Sequence, residues 1–251
     1  MSIAVGTERL TEASPRLKAR IAGGLYLIII VLASFAEFFV HGRLVVGEDA
    51  GATATNIFAH ESLYLLGAAA VPLYLACDTA VAVIFYELLK PVSRSLSLLA
   101  AVFRLIMVAI LGINLLNDFA PLVLLKGAVF STVFKADQLQ ALALMSLNLY
   151  AQGFFIAMMF FGVHCALIGY LVCRSAFLPR ILGVLMAVTG LCYLTHSFAL
   201  FLSPALAAHL FPYLMPIGLP GELSVALWLL VIGVNIQRWK EQASAAADAR
   251  C

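Results

Sequence analysis

Apolar residues gather into six long runs, at about 21–42, 62–89, 95–125, 139–173, 180–203 and 221–239. Each reaches the roughly 20 residues that a helix needs to cross a hydrocarbon layer. The pattern predicts an all-α integral membrane fold with six transmembrane helices. The third and fourth runs are longer than a bilayer requires, so their helices should tilt, kink or project beyond it. Gly153 is the expected adjustment point in the fourth.

The breaks between runs have their own character. "KPVSR" at 90–94 predicts a tight hairpin, because Pro91 stops the preceding helix. "CRSAFLPR" at 173–180 predicts another, with Pro179 near the first turn of the next helix. "SPALAAHLFPYLMPIGLPG" at 203–221 holds four of the nine prolines and is still apolar. It is expected to be a loop at the membrane interface or folded back over the helix ends. Residues 53–61, "TATNIFAHE", should extend the second helix outward. The organisation expected is a polar segment at 1–18, one six-helix domain at 19–240 and an unstructured tail at 241–251. No internal repeat is visible, so an inverted-repeat transporter has no support. The first run continues past the small-residue triplet "SFA" at 34–36, and reads as a retained helix, not a cleaved signal peptide.

Composition and charge sharpen this. Of 251 residues, 64% are hydrophobic and only 11% charged, far below the quarter usual in soluble domains. The lipid bilayer is therefore the expected partner. With no basic stripe and no nucleic-acid-binding motif, no nucleic-acid partner is expected. With the N-terminus placed in the cytoplasm, Arg9, Arg16, Lys18, Arg20, Lys90, Arg94, Arg174, Arg180, Arg238, Lys240 and Arg250 lie inside. Only Arg43, Lys126 and Lys135 lie outside. The positive-inside rule then puts both termini in the cytoplasm of a multi-pass protein, in a bacterium in the inner membrane. Cys77, Cys165, Cys173, Cys192 and Cys251 form no close C-x-x-C pair and read as free thiols.

The candidate chemistry lies in polar residues inside the runs. Arg104 is the one basic residue well within a span, and intramembrane charges usually pair. Counted from the hairpin at 90–94, Asp78 and Arg104 fall at similar depth, so they should meet. Either the pair is a structural clamp between neighbouring helices, or it forms one wall of a ligand or proton site. Further out, Glu37 and His41 share a face, as do Asn114, Asn117 and Asp118, and Asn148 and Gln152. Thr189, Cys192, Tyr193 and His196 form a stripe, and Glu222 follows "LPG". The shared outer depth predicts an outward-facing polar cavity lined by Glu37, Asn114, Asn117, Asp118, Asn148, Gln152, His196 and Glu222, with Asp78 and Arg104 as its floor. His164 lies in the inner half and reads as packing.

Carboxylates and histidines are metal-ligand types, so Glu37, His41, His196 and Glu222 are weak metal candidates, with Asp118 nearby. None has the spacing of a known metal motif. A nucleophile elbow is absent, and His164 and His196 sit too far apart in depth to bind haem as a pair. Nothing in the residues assigns a cofactor.

Several segments together resemble one family. They are "ARIAGGLYLIIIVLASFAEFFVHGRLVV" at 19–46, "CDTAVAVIFYELLKPVSRSLSLLAAVFRL" at 77–105 and "ADQLQALALM" at 136–145. "FFGVHCALIGYLVCRSAFLPRILGVL" at 160–185 and "GELSVALWLLVIGV" at 221–234 complete the set. They are similar to the bacterial membrane-protein family known as domain of unknown function 4386. The resemblance implies a bacterial, single-domain, multi-pass membrane protein, and carries no activity or catalytic residue. Three functional readings follow from the residues: binding or passage of a small polar molecule, ion or proton; a membrane enzyme, with or without a metal, acting on a lipid or isoprenoid-like substrate; or a structural or accessory subunit.

Overall fold

The computed structural model of the chain describes residues 14–248. Helix α1 (Pro15–Ser34) opens with a Ser14 cap that accepts from the Leu17 amide. It continues without a break through a π-helical stretch, Phe35–His41, and a turn, Gly42–Leu44. After it come α2 (Ala50–Ala59), α3 (Glu61–Leu89) and α4 (Arg94–Lys126). A single turn at Ala128–Ser131 leads into α5 (Ala136–Arg174), α6 (Arg180–Leu202), α7 (Pro204–Val231) and α8 (Ile236–Asp248). Among the described residues there is no strand.

Five of these helices are long and apolar enough to cross a membrane, and α7 makes six when its two bent arms count as one span. Consecutive spans pack side by side, and α1 closes against α7, so the six form a ring in chain order. The core runs down the middle, from Ala19, Ala22 and Tyr26 on α1 to Val225, Ala226 and Leu229 on α7. Large apolar residues such as Val31, Leu73, Ile113, Leu191 and Val231 face outward, as expected where the surrounding solvent is lipid.

Both hairpins of the expected kind are present. Ser93 caps α4 by accepting from the Leu96 amide, and Pro179 stands immediately before α6. They lie at the same end as the start of α1, where Lys18 meets Glu87 at 2.5 Å and the Arg20 guanidinium donates to the Val231 carbonyl at 3.1 Å. This is the basic end; α2 and Lys126 lie at the far end.

Four expectations need correction. The stretch 203–221 is not a loop but the N-terminal part of α7, which bends by 46° between its arms Pro204–Leu214 and Pro216–Val231. Pro212, Pro216 and Pro220 recur every four residues along it, so the missing amides fall on one side, and a helix so interrupted bends without unwinding. Residues 50–59 form a separate helix, broken from α3 at His60, not an extension of it. Gly153 lies within continuous α5, and its bare Cα seats the Asn114 side chain. The tail is helical to Asp248; the remainder of the expected 241–251 segment lies outside the described residues, as do residues 1–13. Apolar anchors explain the tail: α8 lays Trp239 over the basic end, where its indole N–H donates to the Leu88 carbonyl at 2.8 Å. Gln242 on the same helix accepts from the Ala176 amide.

Candidate functional site

The sequence expectation of an Asp78–Arg104 meeting holds geometrically. Arg104 is fully buried, and its Nε donates to Asp78 Oδ1 at 2.8 Å while Nη2 donates to the same oxygen. Its third nitrogen, Nη1, lies 3.1 Å from His164 Nε2. His164 Nδ1 is 2.8 Å from the Ala100 carbonyl, which can only accept, so Nδ1 carries the hydrogen. That leaves the Nε2 lone pair to accept from Arg104, and His164 is the neutral tautomer. The guanidinium carbon also lies 4.7 Å from the Tyr26 ring centroid, 5.4 Å from Phe161 and 6.0 Å from Phe85. Three aromatic faces thus replace the water that a charge loses in a membrane.

Tyr26 extends this network. Its hydroxyl donates to Glu222 Oε2 at 3.2 Å, and the Tyr193 hydroxyl donates to Oε1 at 2.6 Å. Every span supplies a residue: Tyr26 from α1, Asp78 from α3, Arg104 from α4, His164 from α5, Tyr193 from α6 and Glu222 from α7. Each lies roughly 14–20 Å from the basic end of its helix at 1.5 Å per residue, near the middle of a ~30 Å hydrocarbon layer. The network holds two carboxylates and one guanidinium, and the guanidinium pairs with Asp78. Among the described residues, Glu222 forms no ion pair, although it is only 6% exposed.

A second cluster lies ~33–38 Å from the basic end by the same measure. His41 Nε2 is 2.8 Å from Asp118 Oδ1, and its Nδ1 is 3.0 Å from the Ala36 carbonyl. Since that carbonyl requires a hydrogen on Nδ1, one proton is shared between Nε2 and the Asp118 carboxyl. The Tyr64 hydroxyl reaches the Asp118 backbone carbonyl at 2.5 Å and Oδ1 at 3.0 Å. The other Asp118 oxygen, Oδ2, is buried without a partner among the described residues. Tyr150 stacks on His41 and donates to Glu37 Oε1 at 2.5 Å. The π-helical stretch makes this possible: one extra residue in the turn carries both Glu37 and His41 inward. Asn114 holds α5 by donating to the Tyr150 carbonyl at 2.8 Å, and Asn117 donates to Asn114.

The residues expected to line one cavity fall instead into separate groups. Glu37, Asn114, Asn117 and Asp118 gather at the far end, joined by His41. Asp78, Arg104 and Glu222 gather in the middle. Glu222 moves because α7 begins at Pro204, so the residue falls deep in a helix and not at its mouth. Asn148 and Gln152 share the expected face of α5, but that face is exposed and points away from both clusters. His196 is buried among Phe155 and Phe211, with ring centroids at 4.6 and 5.4 Å, and its Nδ1 has no partner among the described residues. The four metal candidates are thus spread over three places. Among the described residues no group of three His, Cys, Asp or Glu side chains is placed to hold a metal ion. A far-end hollow of about 570 Å³ is lined by Phe58, Leu125, Lys135 and Gln140 among others, and by none of the candidate residues. His164, read from sequence as packing, is instead a partner of Arg104. Tyr26, Tyr64 and Tyr150 escaped the sequence reading, although a tyrosine deep in a span needs a partner for its hydroxyl.

The comparisons add family membership. Residues 21–233 match the model of a domain of unknown function, DUF4386, and the chain belongs to that family. It is also similar to an uncharacterized protein of Archaeoglobus fulgidus, 28% identical over 162 residues, which cover 64% of this chain and 80% of that protein. No solved structure matches the chain.

Proposed function

We propose that this membrane protein binds and passes protons, using the far-end cluster and the mid-membrane network as successive stations. One observation carries the reading: Glu222 is buried at mid-depth, held by two tyrosine hydroxyls and by no basic side chain among the described residues. Arg104 is committed to Asp78, so an ionised Glu222 leaves one uncompensated negative charge in the membrane. Such charges are costly and mark ion or proton pathways. A proton neutralises Glu222 without needing space, which suits side chains that contact one another directly. At the far end the His41–Asp118 pair shares a proton of its own. Tyr74 on α3 lies ~22 Å from the basic end at 1.5 Å per residue, at a depth between the two stations. A larger polar solute would require these contacts to open. Among the described residues the metal-assisted enzyme reading has no assembled donor set to support it.

The orientation belongs to the same proposal. The basic end faces the cytoplasm with both chain termini, in a bacterial host from the inner membrane, and the far-end cluster faces outward. The test is proton flux into liposomes that contain the protein and an internal pH dye. Flux above that of protein-free liposomes is expected, and Glu222→Gln or Asp118→Asn should reduce it at least tenfold. Equal flux with and without protein would overturn the proposal.

A further inference from the structure

The basic end carries a cavity that neither cluster uses. It measures about 590 Å³ and lies between the start of α1, the α5–α6 connection and the break between α7 and α8. Arg16 and Arg238 line it, together with Phe177, Trp228, Gly233 and Asn235. The break is fixed by sequence. Gly233 has φ +75°, a conformation that glycine adopts without strain, and its amide returns to the Trp228 carbonyl at 3.0 Å. Each arginine spends one donor on the cavity wall. Arg16 Nε donates to the Ile232 carbonyl at 3.3 Å, and Arg238 Nη1 to the Ala176 carbonyl at 3.4 Å. Among the described residues neither arginine forms an ion pair with a carboxylate. Asn235 caps α8 by accepting from the Arg238 amide at 3.1 Å, so the positive end of that helix also opens here.

We infer that this cavity binds the phosphate of an anionic phospholipid. Two guanidiniums lining one cavity suit a phosphate diester, which accepts paired N–H donors. The apolar part of the lining (Phe177, Leu178, Trp228, Ile232) suits the first carbons of an acyl chain better than water. Its level, at the basic ends of α1 and α7, is where headgroups lie, and indole rings favour that boundary. The orientation in the previous section would place it in the cytoplasmic leaflet, where anionic lipids attract basic residues. Its ligand chemistry is independent of whether the core passes protons.

The experiment measures thermal stabilisation of the full chain in neutral detergent during titration with phosphatidylglycerol, phosphatidylcholine or inorganic phosphate. Saturable stabilisation by phosphatidylglycerol is expected, with little from the other two. Arg16→Gln and Arg238→Gln should each raise the half-point roughly fivefold, the effect of losing one basic residue near a lipid phosphate. Lys135→Gln, at the far end, should leave it unchanged. Unchanged half-points in both single variants would overturn the site. Equal stabilisation by phosphatidylcholine would remove the role of charge. Stabilisation by inorganic phosphate at the same concentration as the lipid would show a free-phosphate site instead.

Discussion

Arg104 is held by five side chains, and that decides what substitutions around it should do. Removing one partner of a buried ion pair leaves the other unpaired, at a cost of about 3–5 kcal/mol. Asp78→Ala and Arg104→Ala should each lower stability in detergent by that order, as read by thermal unfolding. A plain clamp would be restored by exchanging the two charges. Here Asp78→Arg combined with Arg104→Asp should stay destabilised, because the new guanidinium would lack His164 and the rings of Tyr26, Phe85 and Phe161. Full recovery in the double variant would reduce the network to the clamp alone. At this scale the sequence exposed the charged partners, since an arginine in an apolar run demands an explanation. It concealed the tyrosines, which count among the hydrophobic residues of the chain although each carries a hydroxyl that needs a partner when buried. It also concealed the role of His164, whose partner lies 60 residues away on another helix.

Helices show the same division. Long apolar runs and polar hairpins made α1, α3, α4, α5 and α6 legible with nearly correct ends. Prolines misled at α7, where their four-residue spacing bends a helix without ending it. The π-helical turn left no mark that a 3.6-residue pattern could reveal, yet it aims Glu37 and His41 inward. Close packing of α5 on α6 has a sequence basis that only the structure brings out. Gly162 faces Gly190, and Gly169 faces Gly183, so glycines seven residues apart on each helix pair across an antiparallel contact. A Cβ added at Gly190 would stand 2.6 Å from the Gly162 carbonyl oxygen, and one at Gly169 2.6 Å from the Gly183 carbonyl oxygen. Small residues at such positions let membrane helices approach. Gly190→Val should therefore cost about 1–3 kcal/mol through overpacking, measured by the same unfolding assay. Gly24→Ala, on α1, meets only a Leu230 methyl at 3.7 Å and should be neutral.

For the whole molecule, the ring of six spans explains why one network can recruit every helix. A closed ring has a single interior, and side chains at similar depth on each span meet there. The sequence supplied that depth, by counting from the basic hairpins, but not the angle at which each residue faces. Asn148 and Gln152 therefore had the right level and the wrong side. Orientation is a property of the whole chain and has its own test. A cysteine introduced at Lys135 should react with a membrane-impermeant thiol reagent added outside intact cells, and one introduced at Lys90 should not. The reverse pattern would invert the proposed topology.

The central claim is that Glu222 takes up a proton in the middle of the membrane. Infrared difference spectroscopy of the protein in liposomes, recorded between acidic and alkaline pH, tests it most directly. The account predicts a protonated-carboxyl band that titrates and is lost in Glu222→Gln while Asp78 remains paired with Arg104. A spectrum in which Glu222→Gln leaves every carboxyl band unchanged would contradict it.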